Sequence, residues 1–208
     1  MKIAIIGAGN VGTALAGNWA AKGHQIYFGV SDPNSAKSKA VTTAVSGARV
    51  GSNREAAAFG EVIVLAVPFG AAPGALAECG DLTGKIVLDC TNPLSADFQN
   101  LTMGFSTSGV ESLIQYAKGA SLFKTLNQTG FANMANPIFP KDRSVMFVAG
   151  DDAAKKPIVM KLVEDLGFEA IDAGDLKISR LLEPLAMLWI HLSFSSTGRD
   201  FAFGLLRR

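Results

Sequence analysis

Hydrophobic residues in this chain fall in short runs that alternate with longer segments of mixed character. A run such as 3–6 (Ile-Ala-Ile-Ile) is typical of a strand covered on both faces, as in a parallel sheet. The segments between the runs place apolar residues three or four positions apart, which predicts helices. This alternation predicts an α/β fold of the Rossmann type, a doubly wound, mostly parallel sheet with a C-terminal helical extension. The predicted strands are 3–6, 25–29, 48–50, 61–67, 85–89, 121–126, 143–149 and 168–173, and the predicted helices 13–22, 36–45, 53–59, 71–79, 111–118 and 153–166.

The first run leads into a glycine-rich segment with the spacing GxGxxG. Gly7, Gly9 and Gly12 follow the first strand, and an amphipathic segment and a second strand come after them. In dinucleotide sites the first glycine permits the turn, the second lets the backbone approach a pyrophosphate, and the third allows close helix–strand packing. The phosphates then bind free N–H groups at the start of the helix. We therefore predict a dinucleotide site, with a purely structural glycine turn as the alternative.

The residues after the second strand bear on the choice between NAD and NADP. NAD sites carry an acid at this strand end, which binds the ribose 2′-OH, whereas NADP sites avoid it. Here the strand ends at Gly29, and Ser31, Ser35 and Lys37 follow as candidate ligands of a 2′-phosphate. Asp32 lies one short shift from the acidic position, and a turn with a helix cap also accounts for Ser35 and Lys37. The pattern favours NADP and leaves NAD open.

Two strand ends are expected beside the nicotinamide half of the cofactor. Ligands of open α/β sheets bind beyond the carboxyl ends of the strands. Val67 and Pro68 follow one buried strand, and Asn92 and Pro93 follow the next. The polar, aperiodic segment 95–110 then predicts a loop over the site.

The predicted strand at 121–126 ends in a dense polar cluster, Lys-Thr-Leu-Asn-Gln-Thr-Gly at 124–130. It is our first candidate for substrate contacts, because the surrounding chain is apolar. The alternative is structural, with Lys124 extending to solvent and Asn127 capping the turn.

The last part of the chain predicts one apolar helix. Leu181, Leu185, Leu188 and Leu192 repeat at helical spacing, and Leu182 and Trp189 widen this stripe. Pro184 must start the helix or kink it. Such a helix needs cover from the sheet or from a second subunit, and a two-fold homodimer is the commoner arrangement. We therefore predict an NAD(P)-binding Rossmann-type domain over residues 1–175, and a helical segment over 176–208 that packs on the domain or on a dimer partner.

Composition narrows the functional class. Of the 208 residues 49% are hydrophobic, and the formal net charge is only +1, which argues against nucleic acid as a partner. Cys79 and Cys90 stand alone, so neither a metal site nor a disulfide is indicated, and both are expected to be small buried residues. The apolar stretch 185–194 is too short to span a bilayer. We expect a cytoplasmic protein that is not bound to a membrane and whose ligands are small-molecule cofactors.

Over its whole length the chain resembles the coenzyme F420-dependent NADP oxidoreductase family and related bacterial dinucleotide-binding reductases. The resemblance rests on several separate motifs rather than on the glycine loop alone. They are Gly-Ala-Gly-Asn-Val-Gly at 7–12, Gly-His-Gln at 23–25, Ala-Val-Pro at 66–68, Phe-Ala-Asn-Met at 131–134, and the segment 165–176 leading into Ser-Arg-Leu-Leu-Glu-Pro-Leu at 179–185.

The resemblance implies hydride transfer between NADPH and a deazaflavin (F420) or a flavin (FMN or FAD) in a small dimeric enzyme. It implies that the cofactor is held at three places: Ala8, Gly9, Asn10 and Val11 in the glycine loop, Val30 and Ser31 at the 2′-phosphate, and Val67, Pro68, Asn92, Asn127 and Gln128 at the strand ends. This chain departs from the family at two positions. Family members usually carry Arg at the position of Ser31. The F420 enzymes have His at the position of Lys124, and a Lys there resembles the related ferric reductases, which pass hydride to flavin.

Hydride transfer between two stacked rings needs little side-chain chemistry, because the cofactors supply both reacting carbons. We expect Lys124 to stabilise negative charge on the accepting ring and Asn127 to orient the nicotinamide or its partner. His24 and His191 are expected to be structural.

Two other functions compete. One is an NADP-dependent reductase of a small imine or carbonyl metabolite, although the 35 residues after Ala173 are few for the helical substrate domain of such enzymes. The other is a non-catalytic NADP-binding redox sensor, which would bind the cofactor without turnover.

Overall fold

The computed structural model describes residues 1–140, 143–195 and 197–208, with the Lys37 side chain outside the described part. Eight strands of the described chain form one sheet in the order β3-β2-β1-β4-β5-β6-β7-β8. The strands are β1 (Lys2–Ile6), β2 (Gln25–Gly29), β3 (Arg49–Gly51), β4 (Val62–Leu65), β5 (Ile86–Asp89), β6 (Ser121–Lys124), β7 (Val145–Gly150) and β8 (Glu169–Gly174). The helices are α1 (Asn10–Ala21), α2 (Ala36–Ala44), α3 (Asn53–Phe59), α4 (Ala72–Cys79), α5 (Gly109–Leu113), α6 (Phe131–Ala135), α7 (Lys156–Asp165) and α8 (Ser179–Ser193).

The sheet is parallel except at one pair of strands. β7 runs antiparallel to β6 and parallel to β8. The chain builds the sheet outward from β1, first through β2 and β3 on one side and then through β4 and β5 on the other, so the strand order reverses between β1 and β4. β1 is parallel to both β2 and β4. In such folds this reversal opens a crevice at the carboxyl ends of the strands, where a dinucleotide binds. The Rossmann-type fold that the hydrophobic pattern predicts is therefore confirmed.

Apolar residues of β1 pack on both faces of the sheet. Ile3 and Ile5 belong to one buried cluster, with Trp19 of α1, and Ala4 and Ile6 belong to the other. The unbroken run at 3–6 reflects this two-sided burial, because neither face of the strand meets water.

Most differences from the predicted elements lie at element ends. β6 stops at Lys124 rather than 126, because Leu126 adopts a left-handed backbone (φ 58°) that cannot continue a strand. Ser52 caps α3, which begins at Asn53 as predicted, in a reciprocal capping box with Glu55. Pro73 does not interrupt α4, since it lies in the first turn, where no N–H donor is needed.

Two helices differ more. The short helix α6 was not predicted, and α7 begins at Lys156 rather than 153 because Asp152 first closes a turn by accepting from the N–H groups of Ala154 and Lys155.

Helix α8 buries only one side of the predicted apolar stripe. Leu182 and Trp189 are buried together with Ala186, and Leu185 and Leu192 are half-buried, whereas Leu181 is 65% and Leu188 48% exposed. Pro184 lies inside the helix. Leu181 and Leu188 thus lie on the outer side of this chain, and their cover by a second copy stays a prediction, as does the division at residue 175. Within the described residues, every helix is too short or too polar to cross a membrane.

Candidate functional site

The loop between β1 and α1 has the geometry expected of a phosphate-binding turn. Gly7 has a φ of 110°, and a Cβ there would overlap the carbonyl of Ala66, the residue that follows β4. A Cβ on Gly12 would overlap the carbonyl of Gly7, so this glycine allows the helix to approach the turn closely. A Cβ on Gly9 meets nothing within 4 Å, which leaves the backbone open to a ligand at this position.

The N-terminus of α1 is free to bind an anion. Gly9 is the N-cap, no side chain caps this end, and the first turn contains no acidic residue. The first helical hydrogen bond runs from the Thr13 N–H to the Gly9 carbonyl (2.9 Å), so the N–H groups of Asn10, Val11 and Gly12 precede the helical pattern. Free N–H groups and the helix dipole together favour a phosphate here.

A cleft of about 590 Å³ extends from this turn to the end of β2. It brings together several of the predicted cofactor residues, and it adds α4 and the start of α3 to the site. Its lining consists of Gly7, Ala8, Gly29, Val30, Ser31, Asp32, Ser35, Ser38, Asn53, Val67, Ala71, Gly74, Ala75 and Glu78. A second depression beside it is lined by Gly9, Asn10 and Phe131 among others. Pro68 lies next to the cleft, as the N-cap of the 3-10 turn Phe69–Ala71.

Ser35 is occupied as a helix cap, whereas Ser31 is exposed. The Ser35 hydroxyl accepts from the Ser38 N–H (3.2 Å) and donates to the Ser38 hydroxyl (2.8 Å). Asp32 accepts from the Asn34 N–H at 2.9 Å in the turn before α2. Of the predicted 2′-phosphate ligands, Ser31 therefore has the side chain most accessible from the cleft. The predicted contact of Lys37 lies outside the described side chains.

Three amides meet where β5 and β6 end. Asn127 Nδ2 donates to Asn92 Oδ1 (2.9 Å), and Asn92 Nδ2 donates back to the Asn127 carbonyl (2.9 Å). Gln128 Nε2 donates to Asn127 Oδ1 (2.8 Å). Asn127 and Gln128 are buried, as is Pro93, whereas Asn92 is half-buried. The structure thus brings the predicted amides together, and Asn92 is the one that presents a surface to a ligand.

Lys124 is fully buried beneath this network, which corrects the expectation that it contacts the accepting ring. Its ammonium lies 2.8 Å from Asp89 Oδ2, 2.6 Å from the Thr91 carbonyl and 2.8 Å from Glu183 Oε1. An ammonium has three N–H donors, and these partners use all of them. The side chain is 0% exposed, so it acts on the site only through the backbone and carboxylates it holds.

The N-terminal part of the chain matches a known family. Residues 2–93 match the model of the NADP oxidoreductase, coenzyme F420-dependent family. An F420-dependent NADP reductase of Methanocaldococcus jannaschii is 27% identical to the chain over 213 residues, which cover 93% of this chain and 92% of that protein. The oxidoreductase class and the family resemblance expected from the sequence are thereby confirmed.

Solved structures extend the likeness to the whole chain. A crystal structure from Arthrobacter sp. FB24, provisionally described as an F420-dependent NADP reductase, is 29% identical with a TM-score of 0.90, and the match covers 100% of both chains. An imine reductase of Streptomyces aurantiacus shares the fold at 16% identity and a TM-score of 0.65, but the match covers 90% of this chain and only 61% of that one.

Glu183 is a residue that the sequence did not assign to the site. It lies on α8 and is 0% exposed, and besides Lys124 its carboxylate accepts from the N–H groups of Gly109 (2.8 Å) and Val110 (3.4 Å). The signal was visible in the sequence as an acid on an otherwise apolar helix, beside Pro184 in one of the family motifs. A buried carboxylate requires a partner, but periodicity does not say where that partner lies.

The ion pairs keep Lys124 charged. Burial by itself would lower the pKa of Lys124, but the neighbouring carboxylates of Asp89 and Glu183 outweigh it and raise the pKa above the usual lysine value. The folded state therefore holds this proton more tightly than the unfolded chain does. The resulting stabilisation is complete below the unfolded pKa and is lost only as the pH rises through the raised folded value.

Replacement of Lys124 by methionine is expected to lower the free energy of unfolding by about 3–5 kcal/mol, because it leaves two buried carboxylates without a cation. Urea unfolding followed by circular dichroism measures this loss. Lys161→Met is the matched control, since Lys161 is 67% exposed and pairs with Asp165 on the surface of α7. Equal losses in the two variants would contradict the role of the buried pair.

Proposed function

We propose that this chain transfers hydride between NADP(H) and a deazaflavin such as F420, or a flavin such as FMN or FAD. The observation that carries the proposal is the chemistry at the ends of β5 and β6. Asp89 and Lys124 there are buried and paired, and burial raises the pKa of the neighbouring Cys90 thiol, so these ionisable groups do not exchange protons with a substrate. The half-buried Asn92 amide can orient a ring but cannot serve as an acid or base. Hydride transfer between two rings needs only such positioning.

The residues present fit a dinucleotide. The backbone at Gly9 is open, and the N–H groups at the start of α1 would hold the pyrophosphate. Val30 and Ser31 would lie beside the ribose, Val67 and Pro68 along the middle of the cofactor, and Asn92 beside the nicotinamide. When bound, NADPH would supply the hydride. Asn127 and Gln128 then act as positioning residues. Asn127 donates to the Asn92 amide, and Gln128 in turn donates to Asn127.

F420 is the acceptor we favour, because two similar proteins carry that coenzyme in their names. The buried position of Lys124 removes it as a ligand of the acceptor, so it gives no preference between deazaflavin and flavin. The decisive measurement uses the purified protein with NADPH and, in turn, F420, FMN, FAD and a cyclic imine, with oxidation followed at 340 nm. Turnover with F420 or a flavin is the expected result. Turnover with the imine alone would make the chain a small-metabolite reductase, and binding of NADPH with no turnover would make it a sensor.

Gly9→Ala is expected to weaken NADPH binding by at least tenfold while leaving the fold intact. The added methyl enters the space that the pyrophosphate needs, and it meets no protein atom within 4 Å. Fluorescence titration with NADPH gives the dissociation constant, and thermal unfolding checks the fold. Gly17→Ala is the matched control on the same helix, since a Cβ there is also unobstructed. If both variants bound NADPH like the parent protein, the glycine loop would not be the phosphate site.

Ser31→Arg is expected to increase the preference for NADPH over NADH by about tenfold or more, because a guanidinium forms charge-assisted hydrogen bonds with a phosphate. The ratio of the two dissociation constants is the readout. Ala154→Arg, at an exposed position in the turn before α7, is a control for the added charge. An unchanged ratio in Ser31→Arg would place the 2′-phosphate elsewhere.

A further inference from the structure

Helix α4 presents a row of small residues that ends in a carboxylate. Ala71, Gly74, Ala75 and Glu78 all line the 590 Å³ cleft. Their spacing is i, i+3, i+4 and i+7, which places them along one side of the helix. A Cβ on Gly74 would meet nothing within 4 Å, so the wall of the cleft is open at this point. The row leaves space for a flat ring and sets one charged acceptor at its far end.

Asn53 holds this carboxylate in position. Its Nδ2 donates to Glu78 Oε2 at 2.7 Å across the gap between α3 and α4. Asn53 also lines the cleft, yet it is only 6% exposed. The bond to a carboxylate determines which side of the amide faces Glu78, because only the N–H₂ group can donate.

The other side of the Asn53 amide lacks a partner. Asn53 Oδ1 is buried and has no hydrogen-bond donor among the described residues. It lies against Gly29 at the end of β2, where a Cβ would come within 2.8 Å of it. A buried acceptor without a donor costs free energy, and a ligand with N–H groups would remove that cost. This end of the cleft therefore carries the Glu78 carboxylate as its acceptor, next to an Asn53 amide whose Oδ1 still lacks a donor among the described residues.

A purine with an amino group matches this arrangement. The 6-amino group of adenine carries two N–H donors, whereas a 6-oxopurine such as hypoxanthine places an acceptor at the same ring position. A 6-oxo group would face the Glu78 carboxylate, and two acceptors cannot form a hydrogen bond without a proton between them. We propose that Glu78, positioned by Asn53, recognises the 6-amino group of the adenine ring and makes the site selective for adenine dinucleotides over their 6-oxopurine analogues. The inference rests on the proposed function for the identity of the ligand.

Equilibrium binding tests the inference without any acceptor. NADPH, NADH and the deaminated (hypoxanthine) analogue of NADPH are each titrated into the protein, and the fluorescence of the reduced nicotinamide gives the dissociation constants. The native chain is expected to bind NADPH at least tenfold more tightly than its deaminated analogue. In Glu78→Gln this ratio is expected to fall towards one, because a side-chain amide can either donate or accept. Glu164→Gln, which removes an exposed carboxylate from α7, is expected to keep the native ratio.

The outcomes separate the inference from the proposed function. Equal affinity of the native chain for NADPH and its deaminated analogue would overturn the role of Glu78 while leaving NADPH binding intact. An unchanged ratio in Glu78→Gln would do the same. A Glu78→Gln variant that only tightens NADPH relative to NADH would show that Glu78 repels the 2′-phosphate instead. Failure of all three nucleotides to bind would overturn the proposed function itself.

Discussion

The buried ammonium of Lys124 is the constraint on which the arrangement of the site depends. A charged group taken out of water must be surrounded by acceptors, and these come from two separate parts of the chain: Asp89 and the Thr91 carbonyl at the end of β5, and Glu183 on α8. Asp89 accepts in turn from the hydroxyl and N–H of Thr91. One cation therefore determines how the ends of two strands and the C-terminal helix meet.

The same contacts position the polar surface above them. Asn127 follows Lys124 by three residues, and its amide donates to Asn92 and, at 3.3 Å, to the Leu182 carbonyl next to Glu183. Glu183 also binds the first N–H groups of α5, and Arg180, one turn earlier on α8, makes two hydrogen bonds to Glu111 of α5. At the ends of β5 and β6 the side chain that faces a ligand, Asn92, is neutral, while the charged groups that order it are buried. Such a division suits a reaction in which the protein positions two rings and leaves the chemistry to the cofactors.

The two halves of the candidate site differ in how they could be predicted. The glycine loop is local: Gly7, Gly9 and Gly12 each have a role that follows from spacing and backbone geometry, and the structure shows the turn, the open position and the close packing that this spacing requires. Lys124 shows the opposite case. Its position after a buried strand indicated a polar site, but a lysine at a strand end can reach solvent or turn inward, and only its neighbours decide between these. Asn53 and Glu78 gave no signal at all, because they meet through the packing of α3 against α4.

The sequence by itself determined the order and type of most elements, the parallel sheet and the position of the phosphate turn. These features follow from hydrophobic periodicity and from the backbone freedom of glycine, both of which act over a few residues. The tertiary structure alone decided the outward direction of the Leu181 and Leu188 face, the inward direction of Lys124, and the arrival of Glu183 from a segment 59 residues later in the chain. The physical reason is that burial and charge pairing are properties of neighbours in space, and a helix with apolar residues on more than one face does not specify which of them meets the core.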